Sequence, residues 1–251
     1  LSELADLSFR TDRTSRSGAK KYAVVVNGPT SMLIERIAGL FSALVFRTET
    51  GEANVVSKAA ELRQEGYTVR ILGEGSNGGN ITHPATVRDP LNTLVSLLKL
   101  LCLSGSPAAG PAERVNAGIA GKSTDADRSP WELWCSKRGI EPDRCARVTI
   151  AAALETLPPF VTTGAYEPEA KLRIRTNDHG LLKRHYEELL LEDWEQKKAG
   201  LLEKYGIASF REVNYEGTRS IEGFGPEYRS GRERGGFKII FSNTDGLDTD
   251  F

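Results

Sequence analysis

Cysteine, histidine and methionine are scarce in this chain: three, three and one among 251 residues. Cys102, Cys135 and Cys145 leave one odd and form no C-x-x-C pair, so neither a disulfide framework nor a zinc ribbon is indicated. Three free thiols in a reducing compartment are the expectation, and a zinc centre has little to be built from. A Ser-His-Asp arrangement also lacks material, because His83 precedes Pro84 in a loop and His179 and His185 fall on a helical surface. An excess of one charge is missing too. The 33 basic and 34 acidic residues leave a net charge of −1, which gives no electrostatic case for nucleic acid or an anionic membrane as partner. No apolar run approaches the length of a membrane span, and the first residues show no signal-peptide pattern, so the cytoplasm is the expected location. The chain begins with Leu1 rather than Met, which reads as an excised or partial product.

What is present fits a soluble globular protein, with 39% hydrophobic and 27% charged residues. The length allows one large domain or two ordinary ones. Up to Leu103 the pattern alternates between strands and helices. Residues 22–27 and 67–72 are apolar-rich strands, expected at the centre of a sheet covered on both faces. Residues 32–44 have apolar positions at helical spacing behind a Thr30-Ser31 cap, and residues 54–64 form a second helix ending at Gly66. Residues 90–103 make a third, opened by a proline and apolar nearly all round, hence expected to be buried. Residues 104–111 are a loop by composition. Residues 130–137 and 143–155 read as short helices. Leu157-Pro158-Pro159 is the best boundary, dividing the chain into residues 1–157 and 158–251. Beyond it, residues 171–175 alternate as a strand. Asn177-Asp178 caps a long helix to about Tyr205, with Leu181, Leu182, Tyr186, Leu189 and Leu190 on one face, and residues 210–215 and 236–241 follow as strands. That order is α+β.

The densest functional signal is Gly73-Glu74-Gly75-Ser76-Asn77-Gly78-Gly79-Asn80, directly after the strand at 67–72. Glycines admit positive φ and close approach of a ligand. Glu74 and Ser76 stand two apart, so an extended backbone points both the same way. A carboxylate beside a hydroxyl suits a polyhydroxyl ligand, whose hydroxyls both donate and accept. Two other readings compete. Gly73, Gly75 and Gly78 match G-x-G-x-x-G, but a dinucleotide fold needs a helix opening at the third glycine, and residues 79–84 cannot supply one. A Gly-rich turn without any ligand is the plain alternative. Residues 116–123 end like a phosphate-binding loop, yet Asn116 stands where Walker A needs glycine and no strand precedes it. The basic runs at 173–175 and 229–234 read as solvated faces rather than as attraction for a substrate phosphate, and Asp245, Asp248 and Asp250 as a frayed tail.

In their order, these segments resemble the third domain of the phosphohexomutases, the phosphoglucomutases and phosphomannomutases. Gly73-Glu74-Gly75-Ser76 is similar to the first half of that family's G-E-x-S-G-H sugar loop, and residues 48–52 resemble its T-x-x-G turn. Asn77-Gly78-Gly79 departs from Gly-His, and Asp89-Pro90 stands where Asp-Gly is usual. The later segments resemble the start of the fourth domain. The resemblance implies an α/β chain: a three-layer domain over 1–157, then a partial α+β domain over 158–251. It implies no catalytic residue in this chain, because the serine, the D-x-D-x-D-R magnesium loop and the R-x-S-x-T-E-P phosphate loop do not occur. Residues 1–7 would end the helix that follows the magnesium loop.

The resemblance further implies a parent isomerase of carbohydrate metabolism. It moves a phosphoryl group between positions 1 and 6 of a hexose phosphate through a phosphoserine, with magnesium as cofactor and a hexose bisphosphate as activator. Glu74 and Ser76 would hold the sugar ring. Asn77 and Asn80 would be auxiliary amides, and His83 would either replace the missing loop histidine or be a plain loop histidine. The partners would be the substrate and the N-terminal domains of the same enzyme. The chain alone is expected to be inactive. The alternative is a stand-alone nucleotide or sugar-phosphate binding module using the loop at 73–80, and a third reading is a scaffold with an incidental glycine loop.

Overall fold

The computed structural model describes residues 21–74, 79–103, 130–141, 148–160, 174–230 and 235–248. The expected helix end at 1–7, the loop at 104–111 and the Walker-like stretch at 116–123 lie outside them. So do Ser76, Asn77, Cys145 and Asp250.

β1 (Lys21–Asn27) runs beside β2 (Ala43–Thr48) and β3 (Tyr67–Glu74), all three parallel, and β4 (Gly79–Thr82) adds antiparallel to β3. The order β2-β1-β3-β4 makes β1 and β3 central, as expected for the two apolar-rich strands. Ala23 through Val26 are all buried because β1 is covered on both faces. On one face Val24 and Val26 meet α1 (Leu33–Leu40), Leu100 of α3 (Pro90–Leu103) and the tryptophans of α4 (Pro130–Arg138). On the other, Ala23 and Val25 join Val55, Ala59 and Leu62 of α2 (Glu52–Gln64) with Leu72 and Ile81. The result is a three-layer α/β/α arrangement.

Several expectations need correction. The helix expected over 32–44 ends at Leu40; Ser42 takes φ 54° and turns the chain, and Ala43 and Leu44 pair with β1 instead. Helical spacing of apolar residues ran on into a strand that tertiary pairing claims. β4 has too few apolar residues to declare itself and forms because β3 offers it an edge. α3 is not buried all round: Leu100 is buried, but Leu91, Leu94, Val95 and Leu98 are exposed. α5 (Ile150–Glu155) starts behind Thr149, whose hydroxyl accepts from the Ala152 amide; residues 143–147 of the longer helix expected there lie outside the description. Cys135 is buried and disulfide-bonded, so three free thiols is wrong. Its partner's side chain is not among those described.

In the later part, α6 (His179–Tyr205) opens behind Asp178, whose carboxylate accepts from the Leu181 amide at 2.8 Å. It lies on an antiparallel sheet of order β6-β5-β7, made by β5 (Ile207–Glu216), β6 (Arg219–Glu222) and β7 (Phe237–Asn243). Trp194 packs on Phe210 and Phe241, and Tyr186 on Phe237. The five apolar positions expected on one face of α6 therefore part company: Tyr186 meets the sheet, while Leu181 and Leu189 stay exposed. Ile174 and Arg175 lie in no strand, and residues 171–173 of that expected strand are outside the description. Arg229 is not solvated but buried in an ion pair with Glu187 of α6. Asp248 is not a frayed end, since its carboxylate binds Arg211 of β5, with Nη2 at 2.8 Å.

Candidate functional site at the carboxyl edge of the parallel strands

β1, β2 and β3 end together at Asn27, Thr48 and Glu74. From β1 the chain winds to β2 through α1 on one face, then crosses to β3 through α2 on the other. Such a switch point opens a crevice at the carboxyl ends of the strands, where open α/β sheets take their ligands.

Arg47, near the end of β2, organises the first wall. Its guanidinium is buried and forks onto Glu35, with Nε to Oε1 at 2.7 Å and Nη2 to Oε2 at 2.8 Å. Nη1 also donates to the carbonyls of Asn27, Gly28 and Thr30 at 3.1, 3.0 and 2.7 Å. The loop after β1 is thereby wrapped around one planar cation.

The second wall is the turn after β2, the stretch that resembled a T-x-x-G motif. Gly51 takes φ 136°, which a side chain rarely adopts, and its amide donates to Glu74 Oε1 at 2.6 Å. Glu74 is the last residue of β3 and is only 3% exposed. Its carboxylate therefore sits at the amino end of α2, where the helix dipole favours an anion. Arg88 Nη1 stands 3.9 Å from Glu74 Oε2, while the Arg88 backbone amide donates to Glu52 Oε1 at 2.8 Å.

Asn80 stands opposite Gly73 on β4, and its Oδ1 accepts from the Thr93 hydroxyl at 2.9 Å. Glu74 and Asn80 are thus brought to the same end of the β3–β4 ladder. His83 is not: its amide donates to the carbonyl of Arg70, four residues back from Glu74, or about 13 Å along an extended strand. Partial burial and the charges of Arg63 and Arg70 push its imidazole below the ordinary histidine range.

A third wall comes from the second sheet. Thr48, Thr50 and Gly28 face Tyr215, Phe237 and Lys238 across a cavity of about 290 Å³. Lys238 Nζ lies 3.4 Å from the Gly28 carbonyl and 3.5 Å from that of Thr30. Burial, with Arg47 close by, pushes its ammonium down to about 8. Sequence reasoning missed Arg47 and Lys238. The signal available was a lone cation inside each of two mostly apolar strands.

Among the described residues, no group of three or more His, Cys, Asp or Glu side chains converges to hold a metal, so the donors here do not fit a magnesium site. No helix among the described residues is long and apolar enough to cross a membrane.

Residues 8–116 match the family model of the phosphoglucomutase/phosphomannomutase alpha/beta/alpha domain III. Neither a curated protein nor a solved structure matches the chain. The matched span contains β1 to β4 with α1 to α3, the layers seen here, and the turn and strand end that carry Gly51 and Glu74. Residues 8–116 are thus a third domain of the phosphoglucomutase/phosphomannomutase family.

Proposed function

We propose that this chain is the sugar-gripping part of a parent mutase that moves a phosphoryl group between positions 1 and 6 of a hexose phosphate through an enzyme phosphoserine. The observation that supports it best is the placement of Glu74. It ends a central strand at the switch-point crevice, with one carboxylate oxygen anchored by the Gly51 amide and the other facing Arg88. An ionised carboxylate only accepts, so it pairs with donor hydroxyls on either side of a turning ring. Ser76 and Asn77 are proposed as further ring contacts in the loop that follows, and Asn80 as the amide at its far end. His83 keeps a proposed role at the outer margin of the same ladder.

Little covalent work falls to such a domain. Its part is orientation and exclusion of misplaced substrate, and charge stabilisation comes from groups elsewhere in the parent. Magnesium would stabilise the transferring phosphoryl group in that parent. With no fitting donor set in the described residues, no step is assigned to it here. The division at about residue 157 and a cytoplasmic location belong to this proposal as well. The disulfide at Cys135 removes the argument for a reducing compartment that free thiols offered.

Glu74→Ala in the parent enzyme is the direct test. Loss of a charged acceptor for sugar hydroxyls costs about 1.5–3 kcal/mol, a fall of roughly 10- to 150-fold in kcat/KM. Unchanged efficiency would sink the assignment. The purified chain alone, in a coupled assay with glucose 1-phosphate, magnesium and a bisphosphate primer, is expected to show no turnover above the blank.

A further inference from the structure

The turn that anchors Glu74 is also the turn on which the second sheet docks. Gly217, at the tip of the β5–β6 hairpin, donates its amide to Glu49 Oε2 at 2.7 Å, and its carbonyl accepts from the Glu49 amide at 3.0 Å. Thr218 seats the same tip on α2 through Glu61 Oε1 at 2.8 Å. Two residues beyond Glu49, the Gly51 amide holds Glu74 Oε1. Between them the turn is stiff. Asn54 Nδ2 reaches the carbonyls of Glu49 and Thr50 at 3.4 and 3.3 Å.

We infer that Glu49 is a positioning residue for Glu74, so that docking of the β5–β6 hairpin and the seating of the Glu74 carboxylate are two ends of one coupled element. The physical content is geometric. The direction of the Gly51 N–H is set by the turn, and the turn is held by a reciprocal pair of bonds to Gly217. When the tip lifts, the Gly51 amide loses its aim and the carboxylate loses its anchor. Linkage makes the effect reciprocal: whatever pulls Glu74 away from Gly51 weakens the hold on Gly217. If the proposed sugar contact holds, a hydroxyl-bearing ligand that takes up the Glu74 carboxylate reports its arrival to the second sheet by this route. That consequence rests on the proposed function, whereas the coupling itself does not.

Amide hydrogen exchange and proton shifts of the full 251-residue chain test the coupling. Glu74→Ala should speed exchange of the Gly217 amide by about fivefold or more, the low end of ordinary coupling between sites. Glu49→Ala should move the Gly51 amide proton upfield as its bond to Glu74 lengthens. Glu49→Gln, which keeps an acceptor for Gly217, should restore much of that shift. Lys197→Ala, at an exposed pair on α6, should do neither. A Gly217 amide that exchanges within twofold of wild type in Glu74→Ala overturns the inference. Should Glu74→Ala not fold, Thr218→Ala loosens the tip without touching the turn, and an unmoved Gly51 signal in it is equally fatal. Millimolar glucose 1-phosphate supplies a separate arm. A ligand shift at Gly51 without one at Gly217 overturns the coupling. No shift at either, with the variants coupled as expected, leaves the coupling standing and counts against sugar binding.

Discussion

Arg47 concentrates at one residue what the carboxyl edge needs. The loop after β1 turns several carbonyls inward, and buried carbonyls without donors are costly. One guanidinium meets three of them through Nη1 and a fourth, on Ser31, through Nη2 at 3.3 Å, while also pairing with Glu35. Arg47→Met is expected to lower stability by about 3 kcal/mol, because it strands those acceptors and a partly buried carboxylate. Arg47→Lys should recover little, since a point ammonium cannot span the same fork. Urea midpoints of the two variants against wild type measure this. The residue itself is plain in the sequence, a cation in a mostly apolar strand, but its five acceptors come from segments 12 to 20 positions away. No local pattern announces such a convergence.

At the scale of elements, the contact between α6 and β5 has an ionisable core. Glu187 of α6 pairs with Arg229, with Nη2 to Oε2 at 3.0 Å, and Glu212 of β5 lies beside both, accepting from Asn214 Nδ2 at 2.9 Å. Burial raises the Glu212 carboxyl to about 7, with the Glu187 carboxylate adding to the rise and Asn214 and Arg229 opposing it. The folded chain thus holds this proton up to about pH 7, whereas the unfolded chain releases it near the ordinary 4.5. Between those values the folded state binds more protons, so this group's contribution to stability falls as pH rises through the window and levels off above it. The change is on the order of 3 kcal/mol. Glu212→Gln should remove that slope, read as the difference between mutant and wild-type unfolding free energies at pH 5 and pH 7.5. A second check concerns α4. With Cys135 disulfide-bonded, three cysteines leave one thiol, and thiol titration of the unreduced, denatured chain should count about one per molecule rather than three.

Across the whole molecule, the two sheets meet through small surfaces that fit closely. Gly28 lies against the ring of Tyr215, where a Cβ would come within 2.7 Å of Tyr215 Cδ2. Met32 packs on the cluster of Val213, Tyr215 and Ile240, and Arg36 Nη2 reaches the Asp248 carbonyl at 3.3 Å. Along β5 the residues therefore divide by parity: Arg211, Val213 and Tyr215 serve this junction, while Phe210 and Glu212 serve α6. Gly28→Val is expected to destabilise the chain by about 1–3 kcal/mol through overpacking against Tyr215. Gly28→Ala in the same urea titration should cost less, and a wild-type midpoint for the valine variant would show that the junction yields freely.

The alternation of strands and helices to Leu103, the central place of β1 and β3 and the cap at Asp178 follow from local chemistry, whereas β3 runs two residues past its expected end at Leu72 and takes in Glu74, which was expected in the loop. Periodicity, a capping side chain and a glycine run are each written in consecutive residues. Family resemblance rode on the same short stretches. Tertiary structure alone decided where α1 yields to β2, because a strand edge competes with helical spacing only once β1 is in place. It also decided that β4 pairs with β3, that Arg229 is buried against Glu187, and that Glu74 and Gly217 share one turn. Glu49 and Gly217 stand 168 positions apart. Contacts at such separations depend on how finished elements stack, and a single chain carries no local record of that stacking.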